Sequence, residues 1–337
     1  MIEKAILHTL AYFACFSYPL TKKELFEFLY SAEKYSLHDF EKALHTLIQE
    51  KKIALEDGLY GLVGEGMKAP FRREKIWVGE EKLRKAKRAI RILQSLPFVE
   101  GIFLCNQFFI STRDESDIDL LIIAKKGRIW LVRFWSIVFM AILRFRIKKG
   151  SEKNKICLSF FATKDALNFE KIAIENDIYL HYWILTLVPF YDPSNLFSFI
   201  MEENKEFLKK NAARIPEEFV FHPSVSAKEY VFLRWKKIFW QWAWKGKFGD
   251  FCEAVVKRVQ KWKLDKKYPS TDAQGPPSTK AQGPPSTKAQ GPPSTKIQQG
   301  PVGDKKIVIT DEMLKFHEND RRGFYLEKSN DVLKKIL

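Results

Sequence analysis

The apolar positions at the start of the chain repeat at helical spacing, first along residues 2–16, an amphipathic stretch. Thr21 with Glu24 three positions on is a capping box, and it opens a short second helix to about Leu29. Ser36 caps a third helix, with Leu37, Phe40, Ala43, Leu44 and Leu47 as its apolar stripe. The spacing then shortens. Ile53-Ala54-Leu55-Glu56 and residues 59–63 read as strands joined at Asp57-Gly58, a pair suited to a tight hairpin. Three helices and a β-wing predict a winged helix over residues 1–65, followed by a linker at 66–79.

A basic helix follows over about residues 80–95, and its Lys82-Leu83-Arg84-Lys85 run faces either solvent or phosphates. Residues 97–104 predict a strand, and Leu120 to Ile123 continue a second strand that is buried on both faces. Residues 129–147 are unusually apolar, but the uninterrupted stretch between Arg133 and Arg144 is shorter than the roughly 20 residues that span a bilayer. A buried core helix is the expectation, with membrane contact as the lesser alternative. Residues 155–161 predict a strand, with Asp165 behind it as a helix cap. A helix over 177–188 is stopped by Pro189 and carries His181 as a core or rim residue, and a surface helix over 202–214 closes a domain spanning 80–215.

Residues 216–268 form a basic, Trp-rich helical region in which Trp235, Trp240, Trp242, Trp244 and Trp262 alternate with lysines and arginines. Stacking on single-stranded nucleic acid, seating on a membrane surface, and packing of the tryptophans on the preceding domain are the three readings. Residues 269–303 contain Ala273-Gln274-Gly275-Pro276-Pro277-Ser278-Thr279-Lys280, repeated without change at 281–288 and 289–296. Pro and Gly at that density build no core, so this is a disordered or polyproline-like linker. The tail, residues 304–337, predicts a strand at Ile307-Val308-Ile309 and a helical turn over 311–316. His317 and Asp320 then pair either as acid and base or as an anchor for the tail.

At 337 residues there is room for two or three domains, and a net charge of +16 points to polyanionic partners: nucleic acid, nucleotides or an acidic membrane surface. On the third helix the exposed face carries His38, Lys42 and His45, with Lys51 and Lys52 at its end. In DNA-binding winged helices this face enters the major groove. Asp39, Glu41 and Glu50 dilute it here, and an interaction or dimerisation surface is the alternative. The four cysteines form no CxxC pair, which fits reduced thiols in a cytoplasmic protein, and Cys15 and Cys157 read as buried packing residues. The start of the chain lacks a secretory pattern.

The candidate chemistry lies in Glu115-Ser116-Asp117-Ile118-Asp119-Leu120. Asp117 and Asp119 are two apart and share one face of an extended segment. Like charges so placed repel, and a divalent cation such as Mg²⁺, which takes one or two carboxylates plus phosphate oxygens, relieves them. A solvated acidic turn is the plainer explanation.

Tyr18-Pro19-Leu20-Thr21, Asp57-Gly58-Leu59-Tyr60, Pro97-Phe98-Val99, Ser116-Asp117-Ile118-Asp119, Gly127-Arg128-Ile129-Trp130, Lys155-Ile156-Cys157-Leu158 and Leu314-Lys315-Phe316-His317 with Asp320 together resemble a family of bacterial proteins. In that family a winged helix precedes a nucleotidyltransferase fold of the polymerase-beta type. The resemblance implies an α+β protein: an N-terminal winged helix, a central mixed-sheet nucleotidyltransferase-like domain and a helical C-terminal region. It also implies Asp117 and Asp119 as catalytic metal ligands for Mg²⁺ (or Mn²⁺), an NTP as donor substrate, and a hydroxyl acceptor of unstated identity. The family's phosphate-holding Gly-Ser pair falls on Cys105 and Asn106, which with Ser116 are the nucleotide-binding candidates. The family's third carboxylate has no counterpart in 155–161. Two functions follow: a metal-dependent nucleotidyltransferase, or an inactive fold serving as a nucleic-acid-binding or regulatory module.

Overall fold

The computed structural model describes residues 2–65, 69–145, 153–216, 231–267, 307–316 and 320–337. The expected 269–303 linker and His317 lie outside the described residues. Within them the protein is α+β, with a three-stranded and a six-stranded sheet.

The first unit comprises α1 (Ile2–Ala14), β1 (Leu20–Thr21), α2 (Lys22–Glu27), α3 (Leu37–Gln49), β2 (Ile53–Glu56) and β3 (Leu59–Leu62). Glu24 N donates to Thr21 Oγ1 at 3.2 Å while the Glu24 carboxylate accepts from Thr21 N at 2.8 Å, so α2 starts on a reciprocal capping box. Ser36 Oγ accepts from Asp39 N at 3.0 Å and opens α3. The β2–β3 turn takes positive φ at both Asp57 and Gly58.

Helix α4 (Ala69–Gln94) begins well ahead of Glu80, so residues 69–79, expected in a linker, are helical. Pro70 sits in the first turn, where the missing N–H has no helical partner to lose. Arg72 folds back to donate to the Glu24 carboxylate at 2.7 and 2.8 Å and to Pro19 O at 2.6 Å. The carboxylate that caps α2 therefore also fastens α4 to the first unit.

Next come β4 (Val99–Leu104), α5 (Phe108–Ser111), β5 (Ile118–Ala124), α6 (Ile129–Ile142), β6 (Ile156–Thr163), α7 (Ile178–Leu185), β7 (Val188–Tyr191), α8 (Leu196–Glu203) and α9 (Lys205–Lys209). After α10 (Val231–Ala243) and α11 (Gly246–Lys267), a hairpin of β8 (Ile307–Ile309) and β9 (Met313–Phe316) leads to α12 (Arg322–Lys334). The large sheet runs β7-β4-β5-β6-β9-β8, and its one parallel pair, β5–β6, is bridged by α6 as a parallel connection requires. Successive β5 residues face opposite ways. Ile118, Leu120, Ile122 and Ala124 join the core with α4 and α6, whereas Leu121 and Ile123 join the core shared with α1 and α7.

Four local expectations change. Residues 313–316 are a strand, not part of a helical turn, because Thr310 closes a tight turn (Thr310 N to Met313 O, 2.9 Å) and β9 then pairs with β6. Pro189 lies within β7, an edge strand, while α7 has already ended at Leu185. Asp165 caps nothing; it lies in a 3-10 turn and pairs with Lys126 at 2.6 Å. The 202–214 helix is two helices, broken at Asn204, whose buried amide bonds Leu167 O, Ile200 O and Phe169 N at 2.7, 2.8 and 2.7 Å. Helix α6 stops at Ile142, and its start is capped from α11, where Glu253 accepts from the N–H groups of Trp130 and Leu131, both at 2.9 Å. No helix among the described residues is long and apolar enough to cross a membrane.

Candidate functional site

Asp117 and Asp119 share the strand parity of Leu121 and Ile123, so their side chains face the α1 and α7 side of the sheet. There they open on a cavity of about 1320 Å³ at the junction of α1, α4, α7, β6 and the C-terminal segment. The parallel register sets Cys157 beside Asp119. One carboxylate oxygen each from Asp117 and Asp119 and the Cys157 sulfur all lie within 4.8 Å of one another. Cys157, expected as a buried packing residue, is only partly buried and lines the cavity, at the place on the neighbouring strand where a third acid was sought.

Burial, and next the charge of Asp117, push Asp119 up to about 6; hydrogen bonds from the Asn106 amide and the Cys157 thiol, and the charge of Lys82, act against this. The amide of Asn106 is oriented from behind, since Trp183 Nε1 donates to its Oδ1 at 2.9 Å. Asn106 and the following Gln107 both take left-handed φ, 57° and 53°, the conformation for which glycine is the undemanding choice. Gln107 secures this turn by donating to the Tyr12 hydroxyl of α1. Ser111 Oγ adds a 2.6 Å bond to Asn106 O. Cys105 follows directly on β4, buried, with its N–H donating to Asp119 O at 3.2 Å. Burial and the two carboxylates push its thiol well above the usual range.

Ser116 is already committed. Its hydroxyl donates to Arg113 O at 2.8 Å and accepts from Lys82 Nζ at 3.2 Å, while Lys82 also donates to Ser116 O. Lys82 is only 1% exposed, not part of a solvated face. Burial lowers its pKa, against the attraction of Asp114 and Asp117. The sequence held the signal: Val78, Lys82, Ala86, Ala89 and Leu93 are one helical stripe, and all are buried.

The far wall comes from the end of the chain. Arg322 donates to both oxygens of Asp320 (2.9 and 2.8 Å), to Asp177 at 2.9 Å and to Ile172 O at 2.6 Å, and Lys315 lies 3.3 Å from Asp320. Although burial opposes it, Arg322 and then Lys315 hold Asp320 down to about 2. Asp320 is therefore bonded to these two cations as an anchor of the tail. Nothing in the tail's own sequence marked Asp177 as the partner. His181 is buried away from the cavity, its imidazole lowered to about 3 by burial. Lys42, His45, Lys51 and Lys52 do not line the cavity; the first three are exposed and Lys52 pairs with Glu50 at 3.1 Å.

Two carboxylates converging beside a cavity of this size are hard donors that suit Mg²⁺ or Mn²⁺. The raised thiol pKa of Cys157, set by burial and then by Asp119 and Asp117, makes that side chain a neutral, weak donor toward the same ions. The carboxylates fit the ion and the third position fits it poorly. No protein-family model, curated protein or solved structure matches the chain.

Proposed function

We propose that this protein is a metal-dependent nucleotidyltransferase, with residues 1–65 as a winged helix and the unit from α4 to β6 as a polymerase-beta-type nucleotidyltransferase domain. The observation that carries the reading is the convergence of Asp117 and Asp119 from one face of β5 onto the large cavity. The run α4-β4-α5-β5-α6-β6, with β4 antiparallel and β6 parallel to β5, is in keeping with it. Asp117 and Asp119 would hold Mg²⁺ or Mn²⁺, which supplies Lewis-acid polarisation of phosphate oxygens. Asn106 keeps Asp119 oriented, and Lys82 fixes the Ser116 end of the loop so that Asp117 enters the strand at one angle. A hydroxyl acceptor has room beside an NTP in about 1320 Å³. Four free cysteines are in keeping with a cytoplasmic location.

The inactive-fold reading is favoured by one observation: the positions expected to carry small residues and a third acid hold Cys105, Asn106 and Cys157. In that case the exposed face of α3, with Lys42, His45 and Lys51, is the surface for nucleic acid.

Thermal unfolding with each NTP, with and without Mg²⁺ or Mn²⁺, separates the two. A ligand at about 100 times its Kd adds roughly 2.7 kcal/mol of stability. The nucleotidyltransferase reading expects a metal-dependent rise in Tm that Asp117→Asn and Asp119→Asn abolish. No rise with any NTP at millimolar concentration would sink it.

A further inference from the structure

Helices α10 and α11 carry aromatic and aliphatic side chains that no other described element covers. On α10, Trp235, Ile238, Phe239 and Trp242 fall at i, i+3, i+4 and i+7, one helical face, and all are exposed, Trp242 by 73%. On α11, Phe248, Phe251, Val255, Val259 and Trp262 advance by three or four residues at a time, and all are exposed, Phe251 by 67%. The other face of α11 is spoken for: Glu253, Gln260 and Leu264 turn toward α6 and the core. Lys237 fastens α10 to the sheet through Val99 O and the Tyr191 hydroxyl. The apolar stripes are therefore the outward faces of docked helices.

We propose that this face is a docking surface for an anionic lipid bilayer, on which the chain lies without crossing it. Charge complementarity selects this occupant. Residues 231–267 hold eleven lysines and arginines against three acidic residues, half of the chain's net charge of +16. Arg234, Lys236, Lys247, Arg258 and Lys263 are exposed beside the stripes. Tryptophan and phenylalanine on one face with cations at its margins match the boundary between acyl chains and headgroups. Single-stranded nucleic acid is less well served, because Ile238, Val255 and Val259 have no ring on which a base can stack. A second copy would bring two such sets of positive charge together. The inference is independent of the catalytic reading.

The test is co-sedimentation of the full chain with phosphatidylcholine vesicles, with and without about one third phosphatidylglycerol. Binding to the anionic vesicles is expected to be at least about tenfold tighter and to weaken with salt. The variant Trp235→Ser/Trp242→Ser/Phe251→Ser should lose about tenfold or more of that binding, with its Tm unchanged. Arg258→Glu/Lys263→Glu, which leaves the apolar face intact, should lose the preference for anionic lipid. Absence of vesicle binding, or equal binding by the triple variant, overturns the proposal. So does poly-uridylate binding, or self-association, that the triple variant loses while vesicle binding stays unchanged.

Discussion

Lys82 is a buried ammonium whose neighbours are Ser116 and, through space, Asp114 and Asp117. Exchanging it for an apolar chain of like length removes its desolvation cost but leaves Ser116 O without a donor, two effects of opposite sign and similar size. Lys82→Met is therefore expected to fold and, on the proposed nucleotidyltransferase reading, to weaken metal-dependent NTP binding about tenfold by releasing the Ser116 loop; calorimetric titration beside a thermal melt would distinguish this from general unfolding. His181 gives a prediction in pH. Burial lowers its imidazole from 6.5 to about 3, so below pH 6.5 the unfolded chain takes up a proton that the folded chain refuses. Stability is full above that pH and falls below it by about 1.4 kcal/mol per unit, or about 2 kcal/mol by pH 5. His181→Phe should flatten this slope in urea unfolding at pH 7 and pH 5, and an unchanged slope would assign the acid sensitivity to other groups such as His8. Residue-scale legibility followed periodicity. The two-residue spacing of Asp117 and Asp119 put both on one side of a strand before any partner was known. The role of Cys157 depended on the register between β5 and β6, which local pattern does not encode.

At the scale of elements, the joints carry more information than the helices and strands themselves. Glu24 caps α2 and receives Arg72 of α4; Glu253 of α11 caps α6; Asp177 caps α7, accepting from Leu180 N at 2.8 Å, and receives Arg322 of α12. In each case a carboxylate at a helix start is shared with a distant element, so helix initiation and tertiary docking depend on the same side chain. The sequence revealed the local half of one joint, the Thr21–Glu24 capping box, and left the distant halves and the Glu253 cap hidden. Residues 313–316 show the same limit: an apolar run this short does not decide between helix and strand until β6 offers an edge to pair with. Breaking the Arg322 joint is expected to be costly. Arg322→Met leaves Asp177 buried without its cation and Asp320 with Lys315 alone, and should destabilise the protein by about 3–5 kcal/mol in urea unfolding at pH 7. A loss below 1 kcal/mol, on the order of a surface ion pair, would show that the network adds little.

Over the whole molecule, the six-stranded sheet is assembled from segments far apart in sequence. β9 lies against β6 although some 150 residues separate them, and α12 then crosses to α1 near the start of the chain. A chain ended after residue 303 would lack β8, β9 and α12, leaving the β6 edge open and a face of α1 uncovered. Such a product is expected to aggregate, which size-exclusion chromatography would show. The same arrangement governs when the cavity comes into being. Its far wall is Lys315, Phe316, Asp320, Arg322 and Tyr325, which are made long after the first unit. At about 5–20 residues per second, tens of seconds pass between synthesis of the first unit and completion of that wall. Translation thus acts as a clock on the site: a chain stalled before β9 displays Asp117 and Asp119 but lacks the wall that faces them, which is added only as residues 315–325 emerge.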